Sequence, residues 1–201
     1  FIKESDKTLV DIGSGAGFPG LVLSIVAQER KVQELMGAPG SPYTRKMLGV
    51  MRFRRIPYQL ERQSRMFAPG EDKHRKPRAA AKVPLLPTFY FEDDNGDEIA
   101  VTDSSPLIRR FEKDYEGRSI IPTDPALAFI DMLLEDYGDE WLTKAMFHYR
   151  WYFDADVDNA GTLLPLMQAG TTLSNEDLLQ FKTFFADRQV SRLGFVGSND
   201  E

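Results

Sequence analysis

The stretch that decides the fold is ELMGAPGSPYTRKMLGVMRFRRIPYQL, residues 34–60. An apolar strand ends in a Gly/Pro loop, and Ser41 then stands where a helix N-cap is expected, directly before Pro42. Apolar side chains recur with helical spacing over residues 42–54, and IPYQLE has the composition of a second strand. The pattern predicts the alternation of strands and helices that is typical of an α/β domain.

Ser41 gives the first indication of chemistry. A hydroxyl group at a helix N-terminus can donate a hydrogen bond to an anion, and the helix dipole stabilises that anion. A thiolate sulfur is a soft anion whose pKa such a site can lower. An ordinary N-cap serine explains the same residue equally well, so both interpretations stay open.

Two later motifs fit the same kind of site. Val83–Pro84 lies in KVPLLPTFYF, which is strand-like, and a cis peptide bond there would aim the Val83 backbone at a peptide-like ligand. A hairpin with an Asn–Gly turn follows, and Asp103–Ser104 then opens a helix. The Asp103 carboxylate and the exposed N–H groups of that helix suit the ammonium and carboxylate of an amino acid. The alternatives are a strand-edge proline and an ordinary helix cap.

In combination the motifs resemble the glutathione transferase superfamily. The matching phrases are GAPGSPYTRKML, KVPLLPTF and VTDSSPLIRRFE, in that order. From Pro125 onward the pattern becomes all-helical, and DEWLTKAMFHYRW resembles the second domain of a bacterial branch of the superfamily. The resemblance runs from residue 32 to the end of the chain. It implies an α/β thioredoxin-like domain followed by an all-α helical domain.

The resemblance also implies roles for the motif residues. Ser41 would hydrogen-bond the glutathione thiolate, since S-P-Y-T stands where redox relatives carry C-P-Y-C. Val83, preceding Pro84, would pair its backbone with the cysteinyl unit. Asp103 and Ser104 would hold the γ-glutamyl end.

The implied function is conjugation of the glutathione thiolate to a small electrophilic substrate, with glutathione as co-substrate. A cation from the basic loop, residues 62–82, would meet the glycine carboxylate of glutathione. A non-catalytic binding protein of the same fold is the first alternative. The chain contains no cysteine, which excludes disulfide exchange and zinc–thiolate sites.

The amino-acid composition indicates which classes of partner are not expected. The formal net charge of −6 does not suggest a nucleic-acid binder. No apolar run reaches the roughly 20 residues that span a bilayer. With His74 and His148 as its histidines, the chain is a poor candidate for a histidine-based metal cluster. We therefore expect a cytoplasmic protein without a nucleic-acid, membrane or metal partner, and a homodimer stays open.

The N-terminal segment indicates a different chemistry. VDIGSGAGFPGLVLSI resembles the first cofactor motif of the glucose-inhibited division protein B family, which are bacterial rRNA methyltransferases. By that resemblance Asp11, Gly13, Gly15 and Gly17 would border S-adenosylmethionine. The next strand, KVQELMG, carries Glu34 as its acid in mid-strand, whereas the family needs an acid at the strand end to hold the ribose hydroxyls.

The sequence thus predicts three parts. They are an N-terminal extension without a completed cofactor site over 1–30, a thioredoxin-like glutathione-binding domain over 31–118, and a partial all-α domain over 125–201. An S-adenosylmethionine-dependent rRNA methyltransferase acting through the extension is the second alternative function. Both chain ends are expected to be cut, so that the last helices of the helical domain would be missing.

Overall fold

The computed structural model of the chain describes residues 32–62, 77–169 and 174–199. The predicted extension over 1–30 and most of the basic loop lie outside the described residues. The chain divides into two compact units. The first includes Ser41–Glu61 and Pro77–Ile120, and the second includes Ala38–Gly40 and the residues from Ile121 onward.

Within its described residues, the first unit is a four-stranded sheet with two helices. Its elements in chain order are β1 (Gln33–Gly37), α1 (Pro42–Arg54), β2 (Tyr58–Arg62), β3 (Thr88–Glu92), β4 (Glu98–Val101) and α2 (Ser104–Asp114). The strand order is β2-β1-β3-β4, and β3 is antiparallel to both β1 and β4. This is the thioredoxin-like α/β arrangement that the sequence predicted.

Helix α1 forms where the sequence signals predicted it. The Ser41 Oγ accepts a hydrogen bond from the Thr44 backbone N–H at 3.3 Å, and Pro42 takes the first helical position, where no N–H is needed. Arg55 ends the helix in a left-handed conformation, with φ 57°. The buried face consists of side chains spaced by three or four residues: Thr44, Met47, Leu48, Val50, Met51 and Arg54.

An acidic segment forms the turn of the hairpin between β3 and β4. The Asp93 Oδ1 accepts hydrogen bonds from the backbone N–H groups of Asn95 and Asp97, both at 2.9 Å. Gly96 has φ +82°, a conformation that glycine adopts without steric cost. The backbone donors of Asp97 and Asn95 lower the pKa of Asp93. The predicted Asn–Gly turn is confirmed.

Two predictions for the segment before β3 are wrong. The cis peptide bond is Leu86–Pro87 rather than Val83–Pro84. The strand expected across KVPLLPTFYF begins only at Thr88. Because proline has no backbone N–H, Pro84 and Pro87 cannot donate to a sheet ladder, and regular pairing starts after the second of them.

The core of the first unit lies where the helices pack on the sheet. Phe111 of α2 packs edge-on against Phe89 of β3, with 5.3 Å between the ring centroids. The fully buried apolar side chains come from β1, β3 and both helices: Leu35, Met47, Met51, Phe89, Leu107 and Phe111. Their packing fixes both helices on the sheet and so fixes the position of each helix N-terminus.

From Ile121 onward the described residues of the second unit form helices and no strand, as predicted. They comprise α3 (Pro125–Asp136), a π-helical segment (Tyr137–Leu142), α4 (Thr143–Trp151), α5 (Asp154–Ala169), α6 (Asn175–Val190) and a 3-10 turn (Leu193–Val196). Helix α5 contains Pro165 in its interior. Trp151 is buried, and its ring contacts Phe185 at 5.8 Å between centroids. No described helix is long and apolar enough to cross a bilayer.

Candidate functional site

The end of β1, the start of β3 and the end of β4 lie side by side at one end of the sheet. The strand register establishes this, because Met36 pairs with Thr88 and Phe89 pairs with Val101. Each of the three sequence motifs lies on a loop that leaves or enters the sheet at this end. The fold therefore brings the three motifs to the same region of the first unit.

Ser41 is a half-buried N-cap residue, as predicted. Its Oγ acts as an acceptor toward the Thr44 N–H, and no other described residue accepts a hydrogen bond from its hydroxyl group. The fully buried Thr44 packs on Gly37 at the end of β1, where an added Cβ would lie 2.7 Å from the Thr44 Cγ2. The start of α1 is thus held tightly against the strand, and the Ser41 hydroxyl proton can be donated to a ligand.

Asp103 is the N-cap of α2 and has an unusual backbone conformation. Its Oδ1 accepts a hydrogen bond from the Ser105 N–H at 3.2 Å, while its φ is 80° and its ψ is 120°. A helix N-cap is normally extended. A positive φ costs a non-glycine residue on the order of 1–3 kcal/mol, and such residues cluster at functional sites. Capping alone therefore does not explain the conformation of the exposed Asp103.

Ser104 is buried and has a cationic partner that sequence analysis missed. The Lys46 Nζ donates a hydrogen bond to the Ser104 Oγ at 3.0 Å. Lys46 lies on α1 between one and two turns after Ser41. The position of Lys46 on the helix that Ser41 caps is the one sign in the sequence that Lys46 belongs to the site. Its partner Ser104 on α2 could not be deduced from that position.

The electrostatics of this end of the sheet favour an anionic ligand. The N-termini of α1 and α2 each carry the equivalent of about half a positive charge. The ammonium group of Lys46 adds a full positive charge beside the start of α2. The arrangement can bind carboxylates and stabilise a thiolate, while the Asp103 carboxylate can accept hydrogen bonds from an ammonium group.

The loop before β3 places Val83 differently from the expectation. The Val83 carbonyl accepts hydrogen bonds from the Leu85 N–H at 2.9 Å and from the Thr102 Oγ1 at 3.5 Å. It is therefore engaged within the protein, and Pro84 beside it is exposed. By contrast, the backbone N–H and C=O of Leu86 have no hydrogen-bond partner among the residues that the structure describes.

The structure does not identify the cation that was expected from residues 62–82. Residues 63–76 lie outside the described part of the chain, and Lys82 is exposed. Arg78 is engaged by carboxylates of the sheet. Among the described residues, no group of three histidine, aspartate or glutamate side chains is placed to hold a metal ion.

Comparison with known families gives two matches. Residues 35–119 match the family model described as glutathione S-transferase, N-terminal domain. Residues 1–36 match the model of rRNA small subunit methyltransferase G. Both resemblances that the sequence motifs indicated are confirmed, the first over the sheet and helices of the first unit and the second over a segment that ends within β1.

A curated relative matches the N-terminal segment. The ribosomal RNA small subunit methyltransferase G of Fusobacterium nucleatum subsp. nucleatum is 57% identical over 30 residues. The match covers 15% of this chain and 13% of that protein. The chain therefore shares a small part of the length of this relative.

Solved structures of similar proteins include three that were crystallised with ligands. A maleylacetoacetate isomerase from Anaeromyxobacter dehalogenans 2CP-1, with dicarboxyethyl glutathione and citrate, is 11% identical at a TM-score of 0.39, over 81% of this chain and 84% of that one. A glutathione transferase family member from Pseudomonas fluorescens Pf-5, with glutathione, is 18% identical at a TM-score of 0.31. The match covers 82% of this chain and 67% of that one. A glutathione S-transferase from Methylobacterium radiotolerans, with glutathione sulfonate, is 15% identical at a TM-score of 0.32. The match covers 80% of this chain and 63% of that one.

Proposed function

We propose that the first unit, which matches the glutathione S-transferase N-terminal model, binds glutathione and conjugates its thiolate to a small electrophile. The observation that carries this proposal is the convergence of three motifs at one end of the sheet. Each motif offers a group that suits one part of the tripeptide: a hydroxyl donor at a helix N-terminus, backbone groups of Leu86 that no described residue pairs with, and a carboxylate beside a buried hydroxyl and an ammonium.

In the proposed complex, the γ-glutamyl end lies at the N-terminus of α2. Its ammonium group meets the Asp103 carboxylate, and its carboxylate meets the first N–H groups of the helix near Lys46 and Ser104. The cysteinyl backbone pairs with Leu86, because the Val83 carbonyl already accepts two hydrogen bonds within the protein.

The chemistry needs glutathione to carry a thiolate at neutral pH. The Ser41 hydroxyl donates to the sulfur, and the N-terminus of α1 adds a favourable dipole; both lower the pKa of the thiol. The thiolate then attacks an electrophilic carbon. A sulfur–carbon bond forms, and the leaving group departs with the electrons of the bond that breaks. The protein contributes orientation and stabilisation of the charge.

Replacement of Ser41 by alanine tests the catalytic part of the proposal. A hydrogen bond to a charged group is worth on the order of 1.5–3 kcal/mol, and one pKa unit corresponds to about 1.36 kcal/mol. We therefore expect Ser41→Ala to raise the pKa of bound glutathione by roughly one to two units. Ultraviolet titration of the bound thiolate measures the shift, and turnover of a chlorodinitrobenzene at neutral pH should fall accordingly.

Ser174 supplies a matched control for this substitution. It is the N-cap of α6 in the second unit, and its Oγ accepts a hydrogen bond from the Asp177 N–H at 3.1 Å. Ser174→Ala should lower stability by about 1 kcal/mol and leave the thiol pKa unchanged. If Ser41→Ala gives the same result, Ser41 is a helix cap and the catalytic role assigned to it is wrong.

Two alternative functions predict different binding results. A non-catalytic binding protein would bind glutathione without transferring it. A methyltransferase would bind S-adenosylmethionine through the N-terminal motif, which matches a methyltransferase model. One feature counts against the second alternative: the Glu34 Oε2 lies 2.6 Å from the Arg78 Nη1, so the acid of β1 is already paired with an arginine of the loop before β3.

A further inference from the structure

The loop that leads into β3 is anchored at its start by Arg78. The Arg78 Nη1 lies 2.6 Å from the Glu34 Oε2 and 3.1 Å from the Glu61 Oε1. The Arg78 Nε lies 3.1 Å from the Glu98 Oε2, an ion-pair contact without hydrogen-bond geometry. One guanidinium group therefore joins the carboxylates of β1, β2 and β4.

Arg78 also contacts the remaining strand. Its Cζ lies 3.8 Å from the centroid of the Tyr90 ring in β3, which is a cation–π contact. The Arg78 side chain is 12% exposed. Burial by itself would lower the pKa of Arg78, but the hydrogen bond to Glu34 and the charges of the three carboxylates raise it above its usual value. The anchor is thus permanently charged and spans the whole sheet.

Beyond Arg78 three hydrogen bonds to side chains hold the loop among the described residues. The Ala79 N–H donates to the Glu98 Oε1 at 2.8 Å, so Glu98 holds the loop at two points. Further along, the Thr102 Oγ1 donates to the Val83 carbonyl at 3.5 Å. Residues 82–85 are exposed. The Thr88 Oγ1 donates to the Leu85 carbonyl at 2.8 Å. Arg78 and Glu98 therefore fix one end of the exposed segment, and Thr88 and Thr102 fix the other.

We propose that Arg78 is a positioning residue for glutathione. It fixes the loop that presents the Leu86 backbone, and it does so without contacting the ligand. The inference rests on the proposed function, in which Leu86 pairs with the cysteinyl unit. A loop that is ordered before binding does not lose its conformational freedom when the ligand arrives, so the anchor increases affinity.

The test compares Arg78→Met with the wild-type chain and with Arg109→Met, which removes an exposed arginine of α2. In Arg78→Met we expect faster amide hydrogen exchange across residues 79–87 and a glutathione Kd raised about tenfold by calorimetry. The pKa of the bound thiol should not change, because Ser41 is intact. Arg109→Met should match the wild type in all three measurements.

Arg78→Lys is the second variant. A lysine keeps the charge, but its single ammonium group cannot span three carboxylates as the guanidinium does. Its Kd should lie between those of the wild type and Arg78→Met. If Arg78→Met does not fold, the glutathione Kd of Arg78→Lys decides whether Arg78 positions the loop.

Three outcomes would count against the account, and they are distinguishable. An unchanged Kd in the folded Arg78 variants, even with a lowered melting temperature, would make Arg78 structural and overturn the inference. Unchanged exchange over residues 79–87 would also overturn it. A wild-type chain that binds no glutathione would overturn the proposed function itself.

Discussion

Replacing Phe111 by alanine is expected to destabilise the first unit by about 3–5 kcal/mol, the usual loss for a buried phenylalanine. Phe111 is fully buried, and its ring contacts those of Phe89 and Phe91, with centroid distances of 5.3 and 6.3 Å. Alanine would leave a cavity where α2 packs on β3. The total stability of a domain is about 5–15 kcal/mol, so urea denaturation should detect a large shift of the midpoint.

The matched control for this change is Phe53→Ala. Phe53 lies on α1 and is 46% exposed. Because its removal opens no cavity, we expect a loss of about 1 kcal/mol or less. Equal losses in the two variants would contradict the core described for the first unit.

Replacing Arg54 by methionine should have the second largest effect, a loss of about 3 kcal/mol or more. The Arg54 Nε lies 3.2 Å from the Glu112 Oε1, and the Arg54 Nη2 donates to the carbonyls of Tyr115 at 2.6 Å and Gly117 at 3.3 Å. The arginine side chain is 2% exposed. Removing one partner of a buried ion pair costs about 3–5 kcal/mol, because the other partner is left uncompensated.

Two further variants isolate the contribution of the pair. Arg52→Met, on the exposed side of the same helix turn, should change the free energy of unfolding little. Adding Glu112→Gln to Arg54→Met should recover part of the loss, since the uncompensated charge is removed. If Arg54→Met is no more destabilising than Arg52→Met, the buried arginine does not hold α1 to α2 and the segment after it.

Features with a local signature could be predicted from the sequence. The N-cap at Ser41, the proline after it and the helical spacing of apolar residues defined α1. The Asn–Gly turn defined the hairpin, and Asp103 marked the start of α2. The start of β3 could not be predicted in the same way. Pro84 and Pro87 are equivalent as local signals, and pairing with β1 decides that the strand begins after the second.

In the candidate site, too, residues with a local sequence pattern could be predicted, and residues that depend on distant partners could not. Ser41 and Asp103 were found because helix caps are local patterns. Lys46 was missed because its partner Ser104 lies 58 residues away in the chain. Arg78 was seen as one cation of a basic loop, since its role depends on carboxylates from three separate strands. The choice of Leu86 over Val83 in the proposed complex rests on hydrogen bonds of the Val83 carbonyl that only the fold reveals.

The most direct test of the central claim is a pair of calorimetric titrations of the intact chain, one with glutathione and one with S-adenosylmethionine. The account predicts saturable, one-site binding of glutathione and no binding heat with S-adenosylmethionine. It also predicts that Asp103→Asn weakens the glutathione signal, because the γ-glutamyl ammonium group loses its charged partner. Saturable binding of S-adenosylmethionine with no glutathione signal would contradict the account and place the activity in the N-terminal motif.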